Sequence, residues 1–234
     1  MRALILLAVG CTVLAACAPG RPPSTVRDRI DRTLARAPGQ AQPSEIVATE
    51  LAFARMAREK GQWTAFSEYA ADNALIFGLN GGIEAKPWLA KQQNPAEAVQ
   101  WQPHFVWMSC DGTQAVTQGG FHEPGGEHGT FYTVWSRQRD GQYRYVFDFG
   151  FAQEQPPEEH DIIGSAIAEC DGAVAQRGDR PPTPEAPAFM SSLDGSLAWG
   201  FQYSTATGRR FHVSIRKGGT MERVIDVSVA AGKE

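Results

Sequence analysis

The chain has 234 residues, a hydrophobic share of 42% and a formal net charge of −4 at pH 7. Its longest basic run is Arg209-Arg210, so the composition argues against binding to nucleic-acid phosphates or anionic lipid surfaces. The length suffices for one well-packed core, or for one core with a small second unit.

The first seventeen residues carry the pattern of an export signal. Arg2 is followed by an apolar run, Ala3 to Ala16, that is too short for a retained membrane-spanning helix. Its end, Leu14-Ala15-Ala16-Cys17, resembles the bacterial lipoprotein box. That resemblance implies cleavage before Cys17, a lipid on its thiol and, because Ala18 follows, sorting to the outer membrane, with the body facing the periplasm. An ordinary signal cleaved after an Ala-x-Ala-like site is the alternative.

The cysteines agree with an exported chain. Cys11 would leave with the signal and Cys17 would carry the lipid, so Cys110 and Cys170 remain as a pair in an oxidising compartment. We expect a disulfide between them, and two unpaired buried thiols are the alternative.

After a signal at residues 1–16, residues 17–43 have the proline-containing composition of a flexible tether. A first helix is predicted from Ser44, its N-cap, to a stop at Gly61. Glu50 lies in the middle of the apolar arc of this helix, where a carboxylate is costly unless it is paired. It is interpreted either as a structural hydrogen-bonding group or as an acid that lines a pocket.

Three further elements are predicted before residue 99. A second helix covers Gln62 to Ala71 and places Trp63 and Tyr69 on one stripe. A strand follows at Ala74 to Leu79, and then a short helix at Lys86 to Gln92 that carries Trp88.

From Val99 the apolar residues alternate with period two, which predicts strands joined by turns at Asp-Gly steps. In the first strand, Trp101 and Trp107 are predicted to share a face. The later strands are predicted at Gln114 to Phe121, Thr130 to Arg139 and Gln142 to Phe151. In the last one, the alternation puts Tyr145 and Phe147 on one face and Asp148 on the other.

Residues 152–192 are predicted to be a proline-rich linker with a short helix at Asp161 to Cys170, and residues 193–234 a three-stranded β-meander packed on the main domain. The segment Asp194-Gly195-Ser196-Leu197-Ala198 is similar to Asp111-Gly112-Thr113-Gln114-Ala115. The tail is therefore either a degenerate repeat or an unrelated meander with similar turns.

Helices followed by antiparallel strands are an α+β order. That order, with Gly61-Gln62-Trp63 near its start and Thr133-Val134-Trp135 and Val146-Phe147-Asp148 near its end, resembles the nuclear-transport-factor-2-like superfamily over residues 44–151. The resemblance extends to uncharacterised bacterial secreted and lipoprotein members. It implies a curved antiparallel sheet wrapped on N-terminal helices to form a cone with an internal pocket.

The favoured interpretation is an envelope-anchored lipoprotein whose cone binds a small apolar or amphipathic ligand. Glu50 would be the polar anchor, and the walls would come from aromatic residues: Trp63, Tyr69, Trp88, Trp101, Trp107 and Trp135.

Two other functions stay open. One is a structural or partner-binding envelope protein, with a possible homodimer through the sheet. The other is acid/base catalysis of the ketosteroid-isomerase or polyketide-cyclase type by Glu50 or Asp148, which is disfavoured because no complete catalytic set is recognisable. No cofactor, metal or nucleic acid is expected.

Overall fold

The computed structural model describes residues 41–158, 160–170 and 188–231. The predicted signal at residues 1–16, the predicted lipid site Cys17 and nearly all of the tether lie outside these described residues. Within them, no helix combines the length and the apolar character needed to cross a bilayer.

Two consecutive helices open the described chain. Helix α1 (Pro43–Lys60) begins after Gln42, so the prediction of Ser44 as N-cap is wrong. Proline fits the first helical position because its fixed φ is helical and its missing N–H has no partner there. Gly61, with φ 104°, ends α1 and leads directly into α2 (Gln62–Tyr69). A short helix, α3 (Ala85–Leu89), follows the first two strands.

Seven strands form the first sheet in the order β2-β1-β6-β5-β4-β3-β7. The β1–β6 and β3–β7 pairs are parallel and the others antiparallel. Helix α1 packs on β3 and β4; we call this helix-covered side the inner face and the opposite side the outer face. The strands are β1 (Ala70–Gly78), β2 (Gly81–Glu84), β3 (Gln100–Met108), β4 (Gln114–His122), β5 (His128–Arg137), β6 (Tyr143–Ala152) and β7 (Gly164–Ile167).

The predicted helix at Asp161 to Cys170 is wrong, because β7 lies there instead and pairs with the edge of β3. Pairing gives the β3 edge backbone partners that a local helix would not supply. Directly after β7, Cys170 forms the expected disulfide with Cys110 across a sequence separation of 60.

A second, antiparallel sheet has the order β11-β10-β9-β8 and four strands, so the prediction of a three-stranded meander is corrected by one strand. The added strand, β8, lies in the segment predicted as linker. The bounds are β8 (Ala188–Ser191), β9 (Leu197–Ser204), β10 (Gly208–Lys217) and β11 (Thr220–Val229).

The second sheet packs on the outer face of the first. Phe147 of β6 stacks on Phe201 and Phe211, with ring centroids 4.8 Å and 5.3 Å away, and Trp199 closes the same cluster at 5.3 Å. All four rings are at most 1% exposed. Because the second sheet covers this face, a homodimer through the first sheet could not use it.

Two β-bulges reverse the predicted faces. In β3 the register passes from Pro103–Gly119 to Phe105–Gln118, so His104 is an extra residue. In β6 the register omits Val146. An extra residue shifts all later side chains to the opposite face. Trp107 therefore leaves the face of Trp101, and Phe147 leaves the face of Tyr145, contrary to the prediction from strict alternation.

The second sheet repeats the pairing of β3 to β6. Val213–Ile225 is followed by Ser214–Arg223, omitting Val224, as Val134–Phe147 is followed by Trp135–Tyr145, omitting Val146. The turn Ser192–Leu197 likewise reproduces the turn Ser109–Gln114, with a serine hydroxyl 2.6 Å from the aspartate in each. A shared bulge and turn favour a degenerate repeat over a chance similarity between meanders.

Candidate functional site

A cavity of about 540 Å³ lies between the helices and the inner face of the first sheet. Its aromatic wall is built by α2, α3 and β3, which contribute Trp63, Trp88 and Trp101. Phe121, Phe131 and Phe151 line it from β4, β5 and β6. At the opening lie Glu123 and Glu127, both exposed carboxylates of the β4–β5 loop. A mostly apolar cavity of this size with few polar groups is typical of small-molecule sites.

The aromatic wall is fixed by ring contacts. Trp63 meets Trp88 edge to face at 5.0 Å, and Phe53 of α1 meets Trp101 at 4.8 Å and Phe66 at 4.9 Å. Edge-to-face pairs stabilise by roughly 0.5–1.5 kcal/mol each beyond their buried area. The wall is therefore a preformed surface.

Asp148 of β6 is the carboxyl group that lines the interior of the cavity. It is half-buried, and it accepts a hydrogen bond of 2.8 Å from the Thr133 hydroxyl. Burial raises the pKa of Asp148 to about 7, the negative charge of Glu50 adds to the rise, and the Thr133 hydrogen bond opposes it. The group can thus exchange a proton near neutral pH.

Glu50 lies behind the wall and does not line the cavity. It is 0% exposed, and its carboxylate accepts hydrogen bonds from Trp101 Nε1 at 2.8 Å, Trp135 Nε1 at 3.0 Å and Thr117 Oγ1 at 2.7 Å. Burial raises the pKa of Glu50, and these three donors counter the rise. The arrangement ties α1 to β3, β4 and β5.

Arg209 reaches the same cavity from the second sheet. Its Nη1 donates to the backbone oxygens of Phe77 and Gly150, both at 3.2 Å, and its guanidinium carbon lies 5.2 Å from the centre of the Phe149 ring. Arg209 is 5% exposed, and burial lowers the pKa of its guanidinium. The lining of the cavity therefore includes both a carboxyl group and a guanidinium.

The structure brings some of the predicted site residues together and separates others. Trp63, Trp88 and Trp101 line the cavity, as does Asp148, one of the two predicted catalytic candidates. Four predicted residues do not line it: Glu50, Tyr69, Trp107 and Trp135. Tyr69 packs on the Phe53 ring at 4.9 Å, and Trp135 is fully buried at the Glu50 carboxylate.

Arg209 and Thr133 were not recognised from the sequence. A signal for Arg209 does exist, because it occupies the same strand phase as Phe211, Val213 and Ile215, which are all buried. A cation in the buried phase of a strand needs a specific partner or a function. In the part of the chain that the structure describes, no cluster of three or more metal-ligating side chains occurs.

No model of a known protein family matches the chain, and neither does any curated protein. Among solved structures, an NTF2-like protein of unknown function from Shewanella baltica shares 15% identity, with 48% of this chain and 94% of that chain covered and a TM-score of 0.38. A proposed ketosteroid isomerase from Parabacteroides distasonis shares 16%, with 44% and 85% covered and a TM-score of 0.37.

A third structure, a protein of unknown function with a cystatin-like fold from Methylobium petroleophilum, shares 14% identity. It covers 64% of this chain and 99% of its own, with a TM-score of 0.36.

Proposed function

We propose that the protein binds a small apolar or amphipathic molecule in the cavity of its first sheet. The observation that carries the proposal is a preformed aromatic cavity of about 540 Å³ whose interior polar side chains include Asp148, Thr133 and Arg209. The aromatic wall would supply most of the affinity by burying apolar area, and the polar groups would orient the ligand.

A cavity-filling variant tests the proposal. Gly150 lines the cavity, and an added Cβ would lie 3.7 Å from its nearest neighbour, an ordinary van der Waals contact. Gly150→Leu should therefore fill the cavity while the strand remains intact. We expect it to weaken dodecanol binding by at least about tenfold, a loss of about 1.4 kcal/mol, measured through the emission of the tryptophans on the wall.

The matched control is Gln202→Leu, which adds an apolar side chain at an exposed position of β9. This variant should bind like the wild type. If dodecanol binds equally to both variants, it binds outside the cavity and the proposal fails.

Acid/base catalysis is a second candidate, and the titration of Asp148 near neutral pH inside the cavity favours it. As a general base, Asp148 would remove a proton from carbon next to a carbonyl group. The rate for a β,γ-unsaturated ketone should then rise with pH through about 7, and Asp148→Asn should abolish it. A rate that is unchanged in Asp148→Asn would exclude this role.

We also propose that the protein is a lipoprotein of the bacterial envelope, anchored through Cys17. The lipoprotein-like segment Leu14 to Cys17 supports this location, and the Cys110–Cys170 disulfide agrees with an oxidising compartment. Cys17→Ser should release the protein from the membrane fraction. Unchanged fractionation of that variant would contradict the anchor.

A further inference from the structure

We propose that Arg209 binds an anionic group of the ligand, so that the cavity selects apolar or aromatic molecules carrying one carboxylate or similar anion. This inference rests on the proposed cavity binding and narrows its ligand class. The second sheet would then complete the binding site of the first.

The position of Arg209 in β10 directs it into the protein. The buried residues of this strand after it, Phe211, Val213 and Ile215, share its phase, whereas Arg210 is exposed and forms an ion pair with Asp226 at 2.8 Å. Among the described residues that line the cavity, Arg209 is the one with a positive charge.

The repeat does not require an arginine here. The strand registers make Thr130 of β5 the counterpart of Arg209, and the Thr130 hydroxyl donates to Gln153 at 2.7 Å. A neutral side chain therefore suffices for the shared architecture. The cation is a feature of the second sheet alone.

The Arg209 side chain is held at the point where β1 and β6 stop pairing. Their parallel register ends at Ile76–Asp148, and just beyond it Nη1 bridges the carbonyl oxygens of Phe77 and Gly150. Both bonds use one nitrogen, although a guanidinium offers five N–H donors. Among the described residues the other guanidinium nitrogens form no hydrogen bond, so they can donate to a ligand.

The charge of Arg209 has no counter-charge within the described chain. Its neighbours there are two carbonyl oxygens and the Phe149 ring, and Asp148 accepts its hydrogen bond from Thr133 instead. An uncompensated buried cation is costly, and a carboxylate facing it bidentately would form the strong charge-assisted pair that guanidinium favours. A ligand anion would supply the missing charge.

The carboxyl groups that line the cavity are placed so that they repel this anion little. Asp148 precedes Gly150 by two residues in β6, which separates their Cα atoms by about 7 Å. Glu123 and Glu127 lie at the opening, where solvent and salt screen them. The ligand anion is therefore expected beside Gly150, with its apolar part against Trp63 and Trp101.

Two isosteric probes that differ in charge test the inference. Calorimetric titration of the purified protein with naphthylacetate and with naphthylacetamide should show that the acid binds at least about tenfold more tightly, as expected for one charge-assisted hydrogen-bonded pair. In Arg209→Met this ratio should fall to about one, and Arg209→Lys should retain part of it. The control Arg210→Met removes the exposed neighbouring cation and should keep the full ratio.

The outcomes separate the two proposals. Equal affinity of acid and amide for the wild type, or an unchanged ratio in Arg209→Met, would overturn the role of Arg209 while cavity binding stands. If neither probe binds, and dodecanoate and dodecanol do not bind either, both proposals fail. Should Arg209→Met not fold, the ratio measured on the wild type and on Arg209→Lys decides the question.

Discussion

Glu50 and Asp148 are two carboxyl groups on the inner side of the same sheet, and their hydrogen bonds differ. Glu50 is enclosed by three donors from three strands and does not line the cavity. Asp148 has the Thr133 hydroxyl as its donor and faces the cavity. Glu50 therefore holds the wall in place, while Asp148 is available to a ligand.

Replacing Glu50 by glutamine should destabilise the protein. In one orientation the amide nitrogen would face the Trp101 N–H, and in the other it would face both the Trp135 N–H and the Thr117 hydroxyl. A buried unsatisfied donor costs about 1–3 kcal/mol. We expect the free energy of unfolding in urea to fall by about 2–3 kcal/mol. The exposed Glu59→Gln on the same helix should change it by less than about 0.5 kcal/mol. Equal stability of the two variants would contradict the structural role of Glu50.

Asp148 should make the stability depend on pH. Its pKa is raised from the ordinary 3.8 to about 7, so the folded protein binds this proton more tightly than the unfolded chain. The stability that the protonated group contributes is present at low pH and is lost as the pH rises from about 3.8 to about 7. The neighbouring acids are Glu50 and Tyr145, whose pKa values are also raised.

Urea unfolding of the wild type and of Asp148→Asn between pH 4 and pH 8 measures this loss, the window running from about the unfolded to about the folded pKa. The wild type should lose stability relative to the variant as the pH rises to about 7, and the difference should then be constant. Parallel pH profiles would show that Asp148 does not titrate in this range.

At the scale of helices and strands, the residue pattern predicts most elements and fails at the bulges. Period two predicts β4, β5 and β6 within a few residues, because each strand alternates between the two faces. The extra residues His104 and Val146 have no signature of their own, yet each reverses the face of everything after it. The bulge at His104 is the reason that Trp107 does not lie on the cavity wall, where strict alternation predicts it.

The site was predictable in part for the same reason. Trp101 lies before the bulge of β3, so strict alternation places it correctly on the wall. Trp63 and Trp88 lie on helices, which a strand bulge does not affect. Arg209 belongs to a second sheet, and its approach to the cavity depends on packing between sheets that no local pattern contains. Its buried strand phase was the one available signal.

The turns Ser109–Gln114 and Ser192–Leu197 should stabilise the contact between the sheets as one energetically coupled unit. The backbone N–H of Asp111 donates to the carboxylate of Asp194 at 3.1 Å, and that of Asp194 donates to Asp111 at 3.0 Å. Asp111→Ala and Asp194→Ala should each cost about 2 kcal/mol in unfolding free energy, and the double variant should cost less than their sum by about 1 kcal/mol. Strict additivity in this double-mutant cycle would show that the turns are energetically independent.

For the whole molecule, the second sheet replaces solvent on the outer face of the first. Tyr132, Phe147 and Phe149 of the first sheet are covered by Phe201 and Phe211 of the second. The similar turn segments of the two halves already suggest a repeat. The similarity does not predict that the two copies pack face to face. This packing buries the apolar surface that each sheet would otherwise expose to water.

Removing β8 to β11 should therefore expose a large aromatic surface. A chain ending before residue 188 is expected to self-associate or aggregate, because an apolar patch of this kind is rarely left open to water. Size-exclusion chromatography with light scattering measures this. A monomeric and cooperatively folded truncated chain would contradict the covering role of the second sheet.

Native mass spectrometry of the protein isolated gently from the cells that produce it tests whether the cavity holds a small molecule. We expect an added small mass that stays on the folded protein, leaves when it unfolds and is absent from Gly150→Leu. From the proposed role of Arg209 we further expect the released molecule to be an anion with an apolar body. A folded wild-type protein whose mass is explained by its own chain, its disulfide and any lipid would contradict the claim and favour a structural or partner-binding role.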